Sequence, residues 1–293
     1  MKRDRWSRPF KKMVTLGESH TAGISATRRE LGWAPVLKGL IDQFQEKPVT
    51  LVNQGIGADI LSPASPMYAY YRGWRPIGLE RYGRHVIAEK PDLVIVSYGY
   101  NDLRSGTPVA AFERDLHRML ADLRRRVRGV IVLLDTYFIT ADGYRDRVGG
   151  TEAGKAWNRG SPRIQARFNR VLRRAAAKFD LLFAEVSQAQ GGAEWLICSP
   201  DGRGDAHCND LGHRLIAQKI FEVLASNCRG LSLKAQADRQ RVGKSPWRHE
   251  PYRPGSDSSW EEKLIRDFYP DSRMDRNQQV GPARPGTPSR AAG

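Results

Sequence analysis

The chain has 293 residues, 40% of them hydrophobic, and a formal net charge of +16, enough for one α/β domain with a sizeable core plus extensions. Much of the charge lies at the ends: residues 1–12 carry six Lys/Arg against Asp4 alone, and residues 229–293 carry thirteen against eight carboxylates. Three cysteines, Cys198, Cys208 and Cys228, form no CxxC pair and argue against a disulfide scaffold, and no apolar run approaches the ~18 residues of a membrane-spanning helix.

In chain order, the opening "MKRDRWSRPFKK" is a basic N-terminal extension over 1–12. It lacks the apolar core of a secretory leader, so the expected location is cytoplasmic. Such basic ends suit solvated tails or contact with an anionic partner. No RNP-type, zinc-finger or helix-turn-helix pattern specifies nucleic acid, which is not expected as a partner.

A folded domain is expected over 13–228. Its β-like runs are "KMVTL", "PVTLVNQGIG", "PDLVIVSYG", "GVIVLLDTY" and, more weakly, "DLLFAEV". Continuous apolar runs of this kind suit parallel strands buried on both faces. Between them lie amphipathic stretches with Val36, Leu37, Leu40, Ile41 and Phe44 on one stripe, then Phe112, Leu116, Leu120 and Leu123, then Ile164, Phe168, Val171 and Leu172. A last helix carries Leu211, Leu215, Ile216, Ile220 and Leu224. Alternating strand and helix predicts a doubly wound α/β sheet, whose ligands bind along the strands' C-terminal edge. Residues 54–85, rich in Tyr, Pro, Gly and Arg, read as a long loop or lid, and the glycine-rich residues 140–161 as a second loop. Residues 229–293 read as a largely disordered tail, with a capping-box and apolar spacing for a short helix at 259–268.

Chemistry concentrates at the predicted strand ends. Ser19 follows the first strand; it is either a helix N-cap or a nucleophile needing a base and oxyanion donors. "NQGIGAD" ends the second strand in a turn that can present backbone N–H groups at Gly57 or Ala58. "SYGYND" ends the third: Gly99 allows a sharp turn, and Asn101 is either a turn residue or an uncharged oxyanion donor. His207 precedes the last helix. Each feature alone has a plain structural reading. Together they fall in order along one sheet edge.

The blocks "GESHT", "NQGIGAD", "GYND" and "HCNDLGHRLIA" resemble those of the SGNH (GDSL-type) serine esterase family, from about Met13 to Asn227. The resemblance implies a flavodoxin-like three-layer α/β/α sandwich with a central parallel sheet of about five strands. It implies hydrolysis of esters with no metal, and no cofactor is expected. Small acyl or acetyl esters of a small molecule are the expected substrates, while Tyr68, Tyr70, Tyr71 and Trp74 with Arg72 and Arg75 in the suspected lid read either as packing or as suited to a carbohydrate ester or an anionic substrate. Ser19 would be the nucleophile and His207 the base, with Ser19, Gly57 or Ala58, and Asn101 supplying the oxyanion hole. Glu18 stands where the family usually has Asp, and Ala58 where it usually has Gly. The family's acid lies three residues before the histidine, where this chain has Gly204. Asp205, one residue later, is the expected acid, with Asp201 or a backbone carbonyl as substitutes. A literal Asp-x-x-His exists at Asp210 and His213, but inside the predicted helix. The competing expectation is a catalytically weak or inactive binding module on the same fold, its basic ends contacting an anionic partner.

Overall fold

The computed structural model describes residues 3–139, 144, 157–191 and 207–231. Cys198, Asp201, Gly204, Asp205 and the helix expected at 259–268 lie outside them, as does most of the second loop.

Five parallel strands form the central sheet: β1 (Lys12–Gly17), β2 (Thr50–Gly55), β3 (Leu93–Ser97), β4 (Val130–Leu134) and β5 (Leu182–Ala184), in the order β2-β1-β3-β4-β5. Register follows from the apolar runs. Val14 pairs with Val52 on one side and Val94 on the other, and Ile95 pairs with Val132. Every residue of β3 and β4 is buried, as expected of inner strands covered on both faces. The edge strand β2 is only partly buried.

The helices are α1 (Ser19–Ala22), α2 (Trp33–Gln43), α3 (Tyr68–Tyr71), α4 (Gly78–His85), α5 (Tyr100–Ser105), α6 (Val109–Arg126), α7 (Pro162–Lys178), α8 (Val186–Gln190) and α9 (Asp210–Ala225). α9 packs on α2 and α8, whereas α6 packs on α4 and α7, which gives the three-layer α/β/α sandwich. The apolar stripes read from sequence face inward: Leu37 and Ile41, Phe112 and Leu116, Phe168 and Leu172, Ile216 and Ile220 are all buried. α7 starts where Ser161 caps the Ile164 N–H and Pro162 occupies the first turn, a position that needs no proline N–H.

Two segments differ from the simplest reading. Residues 54–85 are not only loop. They contain α3 and α4, and α4 escapes an apolar-stripe search because its buried side chain is Arg81. The basic opening is also not wholly solvated. Phe10 belongs to the core; its N–H donates to Gln45 Oε1 and its carbonyl accepts from Gln45 Nε2, both at 2.9 Å. Arg5 N–H donates to the Asn227 carbonyl at 2.8 Å, and Gly230 N–H to the Trp6 carbonyl at 2.9 Å.

Candidate active site

The 2-1-3-4-5 order switches direction between β1 and β3, and the C-terminal end of that junction is where doubly wound sheets open a crevice. β1 ends there at Gly17. A Cβ on this residue would lie 2.4 Å from Thr21 Oγ1 and 2.6 Å from the Ser97 carbonyl, so only glycine lets the chain turn this close to β3. Ser19 opens α1 immediately afterwards. The N-cap of α1 is Glu18, not the serine; Ser19 Oγ lies 2.8 Å from His207 Nε2.

His207 is brought to the serine by the start of α9. Asn209 caps that helix by accepting the Gly212 N–H at 3.2 Å. Asp210 accepts the Thr27 N–H at 2.8 Å and the Thr27 hydroxyl at 2.6 Å. His213 Nδ1 accepts the Trp33 N–H at 3.4 Å, so its Nε2–H is left to donate to the Ile24 carbonyl at 3.1 Å. Four hydrogen bonds, to Ile24, Thr27 and Trp33, therefore fasten α9 to the segment after Ser19. The literal Asp-x-x-His pair is spent on this fastening, and buried His213 lies within the helix.

On the other side, Gly99 at φ 114° turns the chain out of β3 and α5 begins. Asn101 lies in its first turn, and its Nδ2 donates to the Asp59 carbonyl at 2.9 Å, leaving a second N–H on the same nitrogen. Ala58 occupies the left-handed region at φ 54°, which explains why glycine is usual there. The Ala58 carbonyl accepts from the Tyr71 hydroxyl at 2.8 Å, and the Gly57 carbonyl accepts from Arg75.

A buried carboxylate stands next to each of these residues. Glu18, before Ser19, accepts the Gly99 and Asn101 backbone N–H groups on Oε1 at 3.2 and 3.1 Å. Asp59, after Ala58, takes Arg81 and the Tyr98 hydroxyl on Oδ2, at 2.6 and 2.7 Å. Arg81 also donates to the carbonyls of Gly17 and Gln54, so one guanidinium gathers the ends of β1 and β2. Asp102, after Asn101, accepts the Leu61 and Ser62 N–H groups at 2.8 and 3.1 Å and the Thr107 hydroxyl at 3.2 Å. Burial, reinforced by Asp102, holds the Glu18 carboxyl well above its ordinary range. Burial outweighs the three donors at Asp102 and raises it to about 7.

The arrangement thus brings Ser19 and His207 into contact and ties Asn101 to the Asp59 carbonyl, directly after the Gly57–Ala58 turn. Asp205 and Asp201 fall outside the described residues. The sequence reading missed the bracing groups Arg81, Asp59, Asp102, Tyr71 and Arg75. It also missed His20, whose buried ring stacks on Tyr137 at 4.0 Å and lies 5.1 Å from the His207 ring. Burial, then His207 and His213, hold His20 well below the ordinary histidine range, so it is neutral. The available signal was a carboxylate directly beside Ser19, Ala58 and Asn101 in the sequence. Among the described residues no group of three or more His, Cys, Asp or Glu could hold a metal ion, and no helix is long and apolar enough to cross a membrane.

A serine hydroxyl bonded to an imidazole at the switch point of a parallel sheet is a constellation suited to acyl transfer. It defines an ester-hydrolysing enzyme of the three-layer α/β/α class. Residues 15–215 match the model of the GDSL-like lipase/acylhydrolase family, and the chain belongs to that family. Among solved structures it is similar to the lipase/acylhydrolase from Enterococcus faecalis, with 19% identity and a TM-score of 0.56 over 74% of this chain and 96% of that one. It is also similar to the acetylxylan esterase Axe2 from Geobacillus stearothermophilus, with 18% identity and a TM-score of 0.53 over 75% and 96%. The hydrolase LAE5 from the metagenome of Lake Arreo, Spain, gives 21% identity and a TM-score of 0.53 over 75% and 97%. No curated protein matches the chain.

Proposed function

We propose that the enzyme cleaves small acyl or acetyl esters through an acyl-enzyme on Ser19. Ser19 Oγ attacks the ester carbonyl while His207 Nε2 takes its proton. The Ser19 and Ala58 N–H groups, with the Asn101 amide, hold the oxyanion. The C–O bond to the alcohol then breaks as His207 returns the proton to the leaving oxygen. Water, deprotonated by His207, attacks the acyl carbon; the carbonyl re-forms, the acid leaves and Ser19 regains its proton. Asp205 supports the imidazole from its second nitrogen, with Asp201 or a backbone carbonyl as the substitute.

The observation that carries this reading is the 2.8 Å contact between Ser19 Oγ and His207 Nε2. A carbohydrate is the favoured alcohol. Tyr70 and Trp74 are 54% and 70% exposed, on the same segment as Tyr71 and Arg75, which hold the Gly57–Ala58 turn. Exposed aromatic faces beside Arg72 suit a ring that is apolar on its faces and hydroxylated at its rim. The acetylxylan esterase among the similar structures agrees with that choice.

The test is a panel of p-nitrophenyl esters and acetylated sugars, run on wild type, Ser19→Ala, Asp205→Asn and Asp201→Asn. Ser19→Ala should lose about four powers of ten or more in kcat; the acid is the aspartate whose loss is costly, and if neither is, the support is a backbone carbonyl. Near-full turnover by Ser19→Ala would remove the assignment.

A further inference from the structure

We infer that Arg75 and Tyr71 are positioning residues for oxyanion binding, acting through the peptide that joins Gly57 to Ala58. This rests on the reading of Ser19 and Ala58 given above. A peptide unit is planar, so its C=O and N–H turn together. Arg75 Nη2 donates to the Gly57 carbonyl. The N–H of that same unit belongs to Ala58 and is the proposed oxyanion donor. Holding the carbonyl therefore aims the N–H. A cationic donor on the carbonyl also polarises the unit and makes its N–H a stronger donor.

The neighbouring units are held in the same way. The Tyr71 hydroxyl donates to the Ala58 carbonyl at 2.8 Å, and Asn101 Nδ2 donates to the Asp59 carbonyl at 2.9 Å. Three consecutive carbonyls are thus held by side chains from α3, the turn after it, and α5. The need arises at Ala58, whose φ of 54° lies in the left-handed region that an L-residue disfavours. Without bracing, that turn would relax and swing its N–H away.

The brace is itself built. The Arg75 guanidinium lies 4.6 Å from the Tyr71 ring centroid, over its face. The backbone N–H groups of Trp74 and Arg75 donate to the Tyr71 carbonyl at 3.1 and 3.0 Å, and that of Arg72 to the Tyr68 carbonyl at 2.9 Å. Arg75 forms no ion pair among the described residues, so its charge is directed at the backbone.

The experiment compares wild type, Arg75→Ala, Arg75→Lys and Tyr71→Phe on one small ester, with a boronic acid as a tetrahedral analogue and thermal melting as a check on folding. Arg75→Ala should lower kcat about ten- to a hundredfold, part of the loss of a whole donor, with KM within threefold. Its boronate affinity should fall in parallel, and millimolar guanidinium should restore part of the rate. Arg75→Lys and Tyr71→Phe should fall between it and wild type. The inference is overturned if a folded Arg75→Ala keeps kcat within twofold, or if the loss appears only in KM, or if guanidinium restores nothing. If wild type and Ser19→Ala turn over equally, it is instead the nucleophile assignment that has failed.

Discussion

The two sides of the cleft are held by different chemistry. On the side of Ser19, Ala58 and Asn101, buried carboxylates do the holding: Glu18, Asp59 and Asp102 each accept hydrogen bonds from a loop other than their own. On the side of His207, the start of α9 is held by the half-buried Asp210 and the imidazole of His213. Backbone donors that must meet a developing charge need a fixed direction before reaction. Buried carboxyl acceptors supply that direction at a cost in desolvation, which shows as the raised proton affinity of Glu18 and Asp102. Under the proposed mechanism His207 moves a proton between serine, leaving group and water, so its imidazole needs only to be kept near, and a docked helix is sufficient.

The sharpest way to break the contrast is at Arg81. Arg81→Met leaves Asp59 buried without its cation and should cost about 3–5 kcal/mol, read as a lowered urea midpoint. A variant still folded at low temperature should lose turnover as well, because the carbonyls of Gly17 and Gln54 lose a common donor. Next in size is Asn101→Ala. It should lower kcat by ~10²–10³ while changing stability far less, measured by steady-state kinetics beside a melting curve.

A pH series sharpens the comparison further. Asp102 holds its proton to about 7 in the folded chain but only to about 4 when unfolded. The folded state therefore binds the extra proton between these values, and this group's contribution to stability is complete below about pH 4 and lost as pH rises through 7. Urea midpoints across that window should show the decline, and Asp102→Asn should flatten it. Smallest is Ala58→Gly. Relief of the left-handed strain outweighs the added freedom of the unfolded chain, giving a gain of about 0.5–1 kcal/mol in a denaturant titration.

The strands and main helices could be read from sequence because burial on two faces leaves an unbroken apolar signature, as in "DLVIVS" and "GVIVLLD". Three of the four blocks marked the cleft for a related reason: glycines at 17, 57 and 99 stand where the chain turns at or just after a strand end. The braces left no such trace. Arg81, Asp59 and Asp102 are charged residues with a solvent-facing composition, and only the packed fold reveals that they are interior. Arg75 and Tyr71 looked like lid material for the same reason. The dihedral at Ala58 could be suspected only from the glycine usual at that place in the family.

The meeting of the chain's first and last described stretches has a practical consequence. Residues 5 and 6 run beside 227 and 230. Arg5 also reaches Asp180, before β5, and Lys11 N–H reaches Asp92, before β3. The two stretches therefore meet at the pole where strands begin, far from the hydroxyl of Ser19. A short linker there would close the domain into a ring, and new ends could be cut elsewhere without crossing the cleft.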